Sequence, residues 1–376
     1  MYRYEDIKEV HLEITEKCQA ACPQCPRNLE GYDINPHLSM SELSLADCKN
    51  IFDPTFIAQL QHMFMCGNFG DPIIAHDTLE VFEYFRKYNS DALLSMHTNA
   101  GARKEEWWKE LAKVLGSRGK VIFSVDGLED TNHIYRQNVN WEIVERSMEA
   151  FINAGGRAKW AFIVFEHNEH QLKEAEAFSK KLGFEEFQLK KSDRFWNPKT
   201  HSRKTTHNIQ PKKKQYPEQL KGTLKIPTAK EYQNQALDKV EQITEQYGSM
   251  KTYYDKTKIN CKVLENNSIY ISAEGLCLPC CWTASRMYRG FRAFKSEPIW
   301  NFIDAIGGKE KLNVVNNRLE DVMNNTKFFT DIKRSWSCSK LTGRVDTNNP
   351  GAEGKLDVCA EKCGADLDSF KGMFEK

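Results

Sequence analysis

KCQAACPQCPR, residues 17–27, places Cys18, Cys22 and Cys25 at x3 and x2 spacing on one short segment, directly after the apolar run VHLEIT (10–15). Three thiolates on a single loop can hold three irons of a four-iron cluster and leave the fourth iron without a protein ligand. Such an iron can chelate a small molecule and pass electrons into it. A short cysteine motif also reads as zinc, but zinc usually takes four ligands from two well-separated pairs. Here His11, His37 or a distant thiol would have to complete that set.

Working outward from this loop, residues 7 to 193 alternate short apolar runs with longer amphipathic stretches. VHLEIT, HMFMCG, ALLSMHT, KVIFSVD, KWAFIVF and EFQLKK read as strands; LEVFEYFRKY, KEEWWKELAKVL, WEIVERSMEAFINAG and EHQLKEAEAFSKKLG read as the helices between them. Strand and helix repeated about six times imply parallel strands with right-handed crossovers. Six units fall short of a closed eight-unit barrel, so the expected core is a partial (β/α)6 barrel. Chemistry in such folds sits at the C-terminal strand ends, where the cysteine loop follows strand one.

The chain has 376 residues, enough for two domains. Its 53 Lys plus Arg against 52 Asp plus Glu give a net charge of +1, which exerts no global pull toward nucleic acid or an anionic membrane. No run is long and apolar enough to span a bilayer, and MYRYEDIKEV is not a signal peptide. A cytoplasmic protein is therefore expected, in which twelve cysteines favour metal or redox chemistry over disulfides. Residues 196–257 read as a basic, proline-broken linker followed by a bridging helix from Thr228 to Tyr247, with Ala236, Leu237, Val240 and Ile243 on one side. Lys212, Lys213 and Lys214 read as a solvated face rather than a polyanion site.

The cysteine loop after strand one resembles the hallmark of the radical S-adenosylmethionine (SAM) superfamily, and further turns extend the resemblance. CGNFGDPI, with Gly67, Gly70, Asp71 and Pro72, is similar to the family's glycine–acid–proline turn, which offers backbone oxygens to the SAM amino group; Asp71 stands where Glu is commoner. Thr98-Asn99-Ala100-Gly101 is similar to its Thr-Asn-Gly turn, and SVDGLEDTNHIYR (124–136) to a Ser-x-Asp-Gly stretch of the peptide-modifying branch. The resemblance implies that Ser124 and Asp126 bond the SAM ribose or carboxylate, that Arg136 pairs with the carboxylate, and that Phe165 to Asn168 lies beside the adenine. The plainer readings are that Ser124 and Asp126 close a strand and that Asn168 caps a helix.

The last third, residues 258–376, carries seven thiols: Cys261, Cys277, Cys280, Cys281, Cys338, Cys359 and Cys363. SIYISAEGLCLP (268–279) reads as a β-hairpin turning at Glu274-Gly275. Cysteines flanking a hairpin, with CAEKC (359–363) near the end, are similar to the α+β SPASM/twitch extension of radical SAM enzymes. The full SPASM cysteine pattern is absent, which favours the shorter twitch form with one auxiliary [4Fe-4S] cluster. Cys261, Cys280, Cys359 and Cys363 are its expected ligands, with Cys281 competing with Cys280. Cys277 and Cys338 remain as a fourth ligand or as free thiols able to return a hydrogen atom to substrate. Cys48 and Cys66 read as buried core cysteines.

Carried over, the resemblance implies a cluster-bound SAM, reductive cleavage to a 5′-deoxyadenosyl radical, and hydrogen abstraction from a peptide or protein, with oxidation, cross-linking or epimerisation as the outcome. Oxidation of a sugar or alcohol is the alternative substrate reading, and a non-catalytic iron–sulfur or zinc scaffold the alternative class. A flavodoxin or ferredoxin would supply electrons. RNA modification has only the basic 203–225 segment in its favour.

Overall fold

The structure is a computed structural model that describes residues 3–29, 33–197, 202–209, 222–289, 294–342 and 353–374; Lys212 to Lys214 lie outside the described residues. Six parallel strands form the barrel wall: β1 (Glu9–Leu12), β2 (His62–Met65), β3 (Leu93–Thr98), β4 (Gly119–Ser124), β5 (Ala158–Val164) and β6 (Glu186–Lys191). Each coincides with an apolar run named above. Helices Thr78–Tyr88, Glu105–Leu115, Trp141–Asn153 and Leu172–Leu182 return the chain between strands two and six. Each buries one stripe against the sheet, such as Trp108, Leu111, Ala112 and Leu115.

The hairpin is present as β7 (Ser268–Ile271) and β8 (Cys277–Leu278), and it turns at Gly275 with φ +81°, a conformation that favours glycine. It also joins the barrel. β7 pairs in parallel with β1, so one eight-stranded sheet runs β8-β7-β1-β2-β3-β4-β5-β6. One hydrophobic core accordingly runs from barrel residues such as Phe123 and Trp160 to Ile269, Leu278 and Met287.

Two details differ from the sequence reading. The bridging segment has no helix from 228: two short 3-10 turns precede a helix confined to Lys239–Tyr247. The Asn234 side chain takes the Ala236 backbone N–H, which stops helical pairing from running through it. Within this stretch the described residues form two short antiparallel ribbons, Trp196–Asn197 with Ser202–Arg203 and Thr206–Ile209 with Gly222–Lys225. Among the described residues no helix is long and apolar enough to cross a membrane.

Candidate active site at the barrel mouth

Cys18, Cys22 and Cys25 lie on the loop that leaves the C-terminal end of β1. The loop is braced locally, with the Cys25 N–H on the Cys22 carbonyl at 3.0 Å and the Asn28 N–H on the Cys25 carbonyl at 2.9 Å. Burial pushes the Cys18 thiol well up and the Cys22 thiol to about 11, so without a metal both hold their protons. Donors stand ready for the ionised form. Arg136 Nη1 is 3.8 Å from Cys22 Sγ, and Asn99 Nδ2 is 3.6 Å from Cys18 Sγ. Arg194, which the sequence reading passed over, adds positive charge beside Cys25 and Cys22.

The turn after β2 is pressed against this loop. A Cβ on Gly70 would meet the Thr15 carbonyl oxygen at 1.8 Å, so only glycine fits. Asp71 donates its N–H to the Lys17 carbonyl (2.9 Å). Its carboxylate accepts from the Asn99 N–H at 2.8 Å and from Asn99 Nδ2 at 2.7 Å. The Asp71 side chain is thus used internally, on Asn99. Thr98 likewise spends its hydroxyl on the Ala100 N–H (3.0 Å). Ala100 holds φ +60°, and this strained turn seats Asn99 between Asp71 and Cys18.

Several residues named from the sequence are placed differently from the roles suggested for them. Arg136 is tied through Nε to the fully buried Asp126 at 2.6 Å, so only its outer nitrogens face the cysteine loop. Asp126 also accepts the Ile163 N–H at 2.6 Å, which makes it a buried brace rather than a free ribose ligand. Asn168 is fully buried. It accepts from the Phe165 N–H (2.8 Å) and donates to the Asp126 and Ile163 carbonyls (2.8 and 3.0 Å), so its side chain is spent on backbone groups and does not cap a helix. Phe165 is buried against Tyr135, with centroids 4.7 Å apart. Ser124 ends β4 half-buried at the mouth.

A second gathering of thiols lies in the C-terminal region. Cys261, Cys280, Cys359 and Cys363 line one cavity, together with Trp282, Trp336 and other mostly apolar side chains. They come from three separate segments. Cys261 and Cys363 share a hydrogen bond, and the Cys363 thiol is pulled down by that bond and by Lys262. Burial pushes Cys280 up to about 11 and Cys359 further. Neither Cys277 nor Cys338 is among the cavity's lining residues. Cys277 is fully buried with no charged neighbour acting on it, and Cys338 follows the helix Phe328–Ser335 near Lys355.

Cys281, adjacent to Cys280, is not among that cavity's lining residues, and the charges of Cys280, Cys66 and Glu13 act on it. Cys66 is the main correction. It is half-buried rather than core, with Glu13 after β1, Asp71 after β2, and Lys190 and Arg194 at and just past the end of β6 acting on it. The charged Glu13 inside an apolar strand was the available signal. Its Oε1 accepts from the Phe69 and Gly70 N–H groups (2.7 and 3.2 Å), its Oε2 accepts from the Tyr270 hydroxyl, and burial pushes it up to about 7. His11 bonds the Cys66 carbonyl and stacks on Phe64, which occupies it away from the cysteine loop. Among the described residues no three His, Cys, Asp or Glu side chains converge on a point sized for a single metal ion.

No family model and no curated protein matches this chain. Solved structures do. SuiB from Streptococcus suis bound to S-adenosylmethionine superposes with TM-score 0.52 at 13% identity, covering 94% of this chain and 77% of that one. The chain has the radical SAM fold. SuiB bound to its precursor peptide SuiA gives TM-score 0.53 at 13% identity, over 94% and 76% of the two chains. A further radical SAM structure, anSMEcpe with bound AdoMet, gives 0.50 at 13%, over 98% and 92%. The likeness is one of fold, and in it the mouth described above lies at the C-terminal ends of the barrel strands.

Proposed function

We propose that this chain is a radical SAM oxidoreductase acting on a peptide or protein. Cys18, Cys22 and Cys25 would hold a [4Fe-4S] cluster with one open iron, and Cys261, Cys280, Cys359 and Cys363 a closed auxiliary one. Bound there, the cluster and SAM would supply the radical chemistry for removing an unactivated hydrogen. The carrying observation is that, of three thiols on one loop, Cys18 and Cys22 meet hydrogen-bond donors at 3.6 and 3.8 Å while a glycine turn packs its backbone alongside.

The donor chemistry fits that assignment. Buried thiols that keep their protons are released by metal, and Arg136 and Asn99 then stabilise the thiolates. The Gly67–Pro72 backbone would orient the SAM amino group, and the outer nitrogens of Arg136 with Ser124 would receive its carboxylate. In the cavity four thiols from three segments leave no open corner, which suits electron transfer rather than ligand binding. SuiB was solved with a precursor peptide, and that favours a peptide over a sugar or alcohol here. A flavodoxin- or ferredoxin-type donor would supply electrons. Anaerobic reconstitution with SAM and dithionite tests the reading: release of deoxyadenosine supports it, and intact SAM would reduce the chain to a scaffold.

A further inference from the structure

Asn68, Phe69 and Gly70, consecutive residues of the turn after β2, are all fastened through one buried network. Glu13, one residue past β1, is 1% exposed, and Tyr270 on β7 is fully buried. Glu13 Oε1 accepts the Phe69 N–H at 2.7 Å and the Gly70 N–H at 3.2 Å. Its Oε2 accepts the Tyr270 hydroxyl, and its own N–H donates to the Ile271 carbonyl at 2.9 Å. Asn68 Nδ2 donates to the Cys281 carbonyl at 2.8 Å and reaches the Tyr270 oxygen at 3.3 Å. Tyr270 and Ile271 belong to the C-terminal hairpin, and Cys281 opens the helix Cys281–Met287 that follows it.

These bonds decide where the turn's carbonyls point. In a trans peptide the N–H and the preceding C=O lie in one plane and point in opposite directions. Holding the Phe69 and Gly70 N–H groups on Glu13 therefore aims the Asn68 and Phe69 carbonyls away from it. Neither carbonyl accepts a hydrogen bond among the described residues. Two unpaired carbonyls on a fixed turn make an acceptor pair for an ammonium, which only donates. A buried carboxyl is costly unless its oxygens are bonded, and filling the same space would need only a leucine. Both oxygens of Glu13 are bonded, and one of them is given wholly to the turn.

We infer that Glu13 and Tyr270 are positioning residues for the SAM amino group, so that the C-terminal hairpin, and not the barrel alone, sets the seat for that group. The inference rests on the radical SAM reading and deepens it. Glu13 acts through the turn's backbone: it fixes two peptide planes, and those planes fix two carbonyls. Tyr270 acts one step further out, by holding the second carboxyl oxygen. Asn68 closes the loop by tying the turn to the Cys281 carbonyl, next to Cys280 of the C-terminal set. A change in the hairpin thus reaches the mouth through side chains already in contact.

The test titrates SAM, and in parallel its analogue lacking the amino group, into the reduced, reconstituted full chain and follows the paramagnetic signal of the mouth cluster. Glu13→Leu keeps the volume and removes both acceptors; SAM should bind about a hundredfold more weakly, roughly tenfold for each amide N–H left without its partner. Tyr270→Phe removes one hydroxyl and should weaken SAM about tenfold. Glu13→Gln keeps an oxygen for the two N–H groups and should stay within about threefold of the parent. The preference for SAM over the deamino analogue should shrink by the same factors, because the analogue does not use the seat. A role in packing alone would weaken both ligands alike. Equal weakening of the two ligands, or unchanged SAM affinity in Tyr270→Phe, would overturn the inference. Should Glu13→Leu give no folded protein, Tyr270→Phe decides the matter by itself. A parent whose cluster signal ignores SAM would instead overturn the radical SAM reading.

Discussion

The two cysteine sets differ in how the chain gathers them. The mouth set is local, three thiols within eight residues of one loop, flanked by Arg136, Asn99 and Arg194. The C-terminal set draws four thiols from three segments into an apolar pocket beneath Trp282 and Trp336. A polar, donor-rich, three-thiol site suits a metal that must bind and release a ligand. A closed apolar four-thiol site suits one that only passes electrons.

Substitution of one thiol in each set should separate them. Cys22→Ala should abolish SAM cleavage and lower iron from about eight to about four per chain, with the remaining iron in the C-terminal set, as four irons per cluster require. Cys359→Ala should remove a similar share of iron yet leave a cluster that still answers SAM. Iron analysis with electron paramagnetic resonance checks both. Equal loss of SAM response in the two variants would erase the distinction.

Next in size is the turn that serves only the mouth. Gly70→Ala forces a Cβ to 1.8 Å from the Thr15 oxygen, and overpacking of this kind typically costs about 1–3 kcal/mol. Lower thermal stability and weaker SAM binding are expected, with the C-terminal iron retained.

Glu13 links the two regions through Tyr270, and its protonation should show in stability. Burial raises it from 4.5 to about 7, so the folded state favours the protonated acid. Its contribution is fully present below pH 4.5 and is lost as pH rises toward about 7. Urea midpoints across that window should fall with pH, and Glu13→Gln should flatten the slope. The smallest effect belongs to Ala100. With φ at +60°, Ala100→Gly should relieve left-handed strain worth about 1 kcal/mol, which a modest rise in the urea midpoint would report.

The same local-versus-distant contrast explains what the sequence disclosed. The six strands and the mouth turns were legible because period-two apolar runs and a three-cysteine loop are local signals. The hairpin was legible from Glu274-Gly275, and its seat beside β1 was not. Parallel pairing of Glu9 with Ser268 joins residues far apart in sequence and leaves no local trace. The surroundings of Asn168 and Asp126 were not legible because a buried polar side chain and a ligand-binding one have the same letter. Only the hydrogen bonds to Phe165, Ile163 and Arg136 distinguish them.

The most direct test of the account is to reduce the anaerobically reconstituted chain and record paramagnetic spectra before and after adding SAM. Two cluster signals are expected, of which one shifts with SAM and vanishes in Cys22→Ala while the other stays unchanged. A protein holding zinc alone, or a SAM response that survives Cys22→Ala, would contradict it.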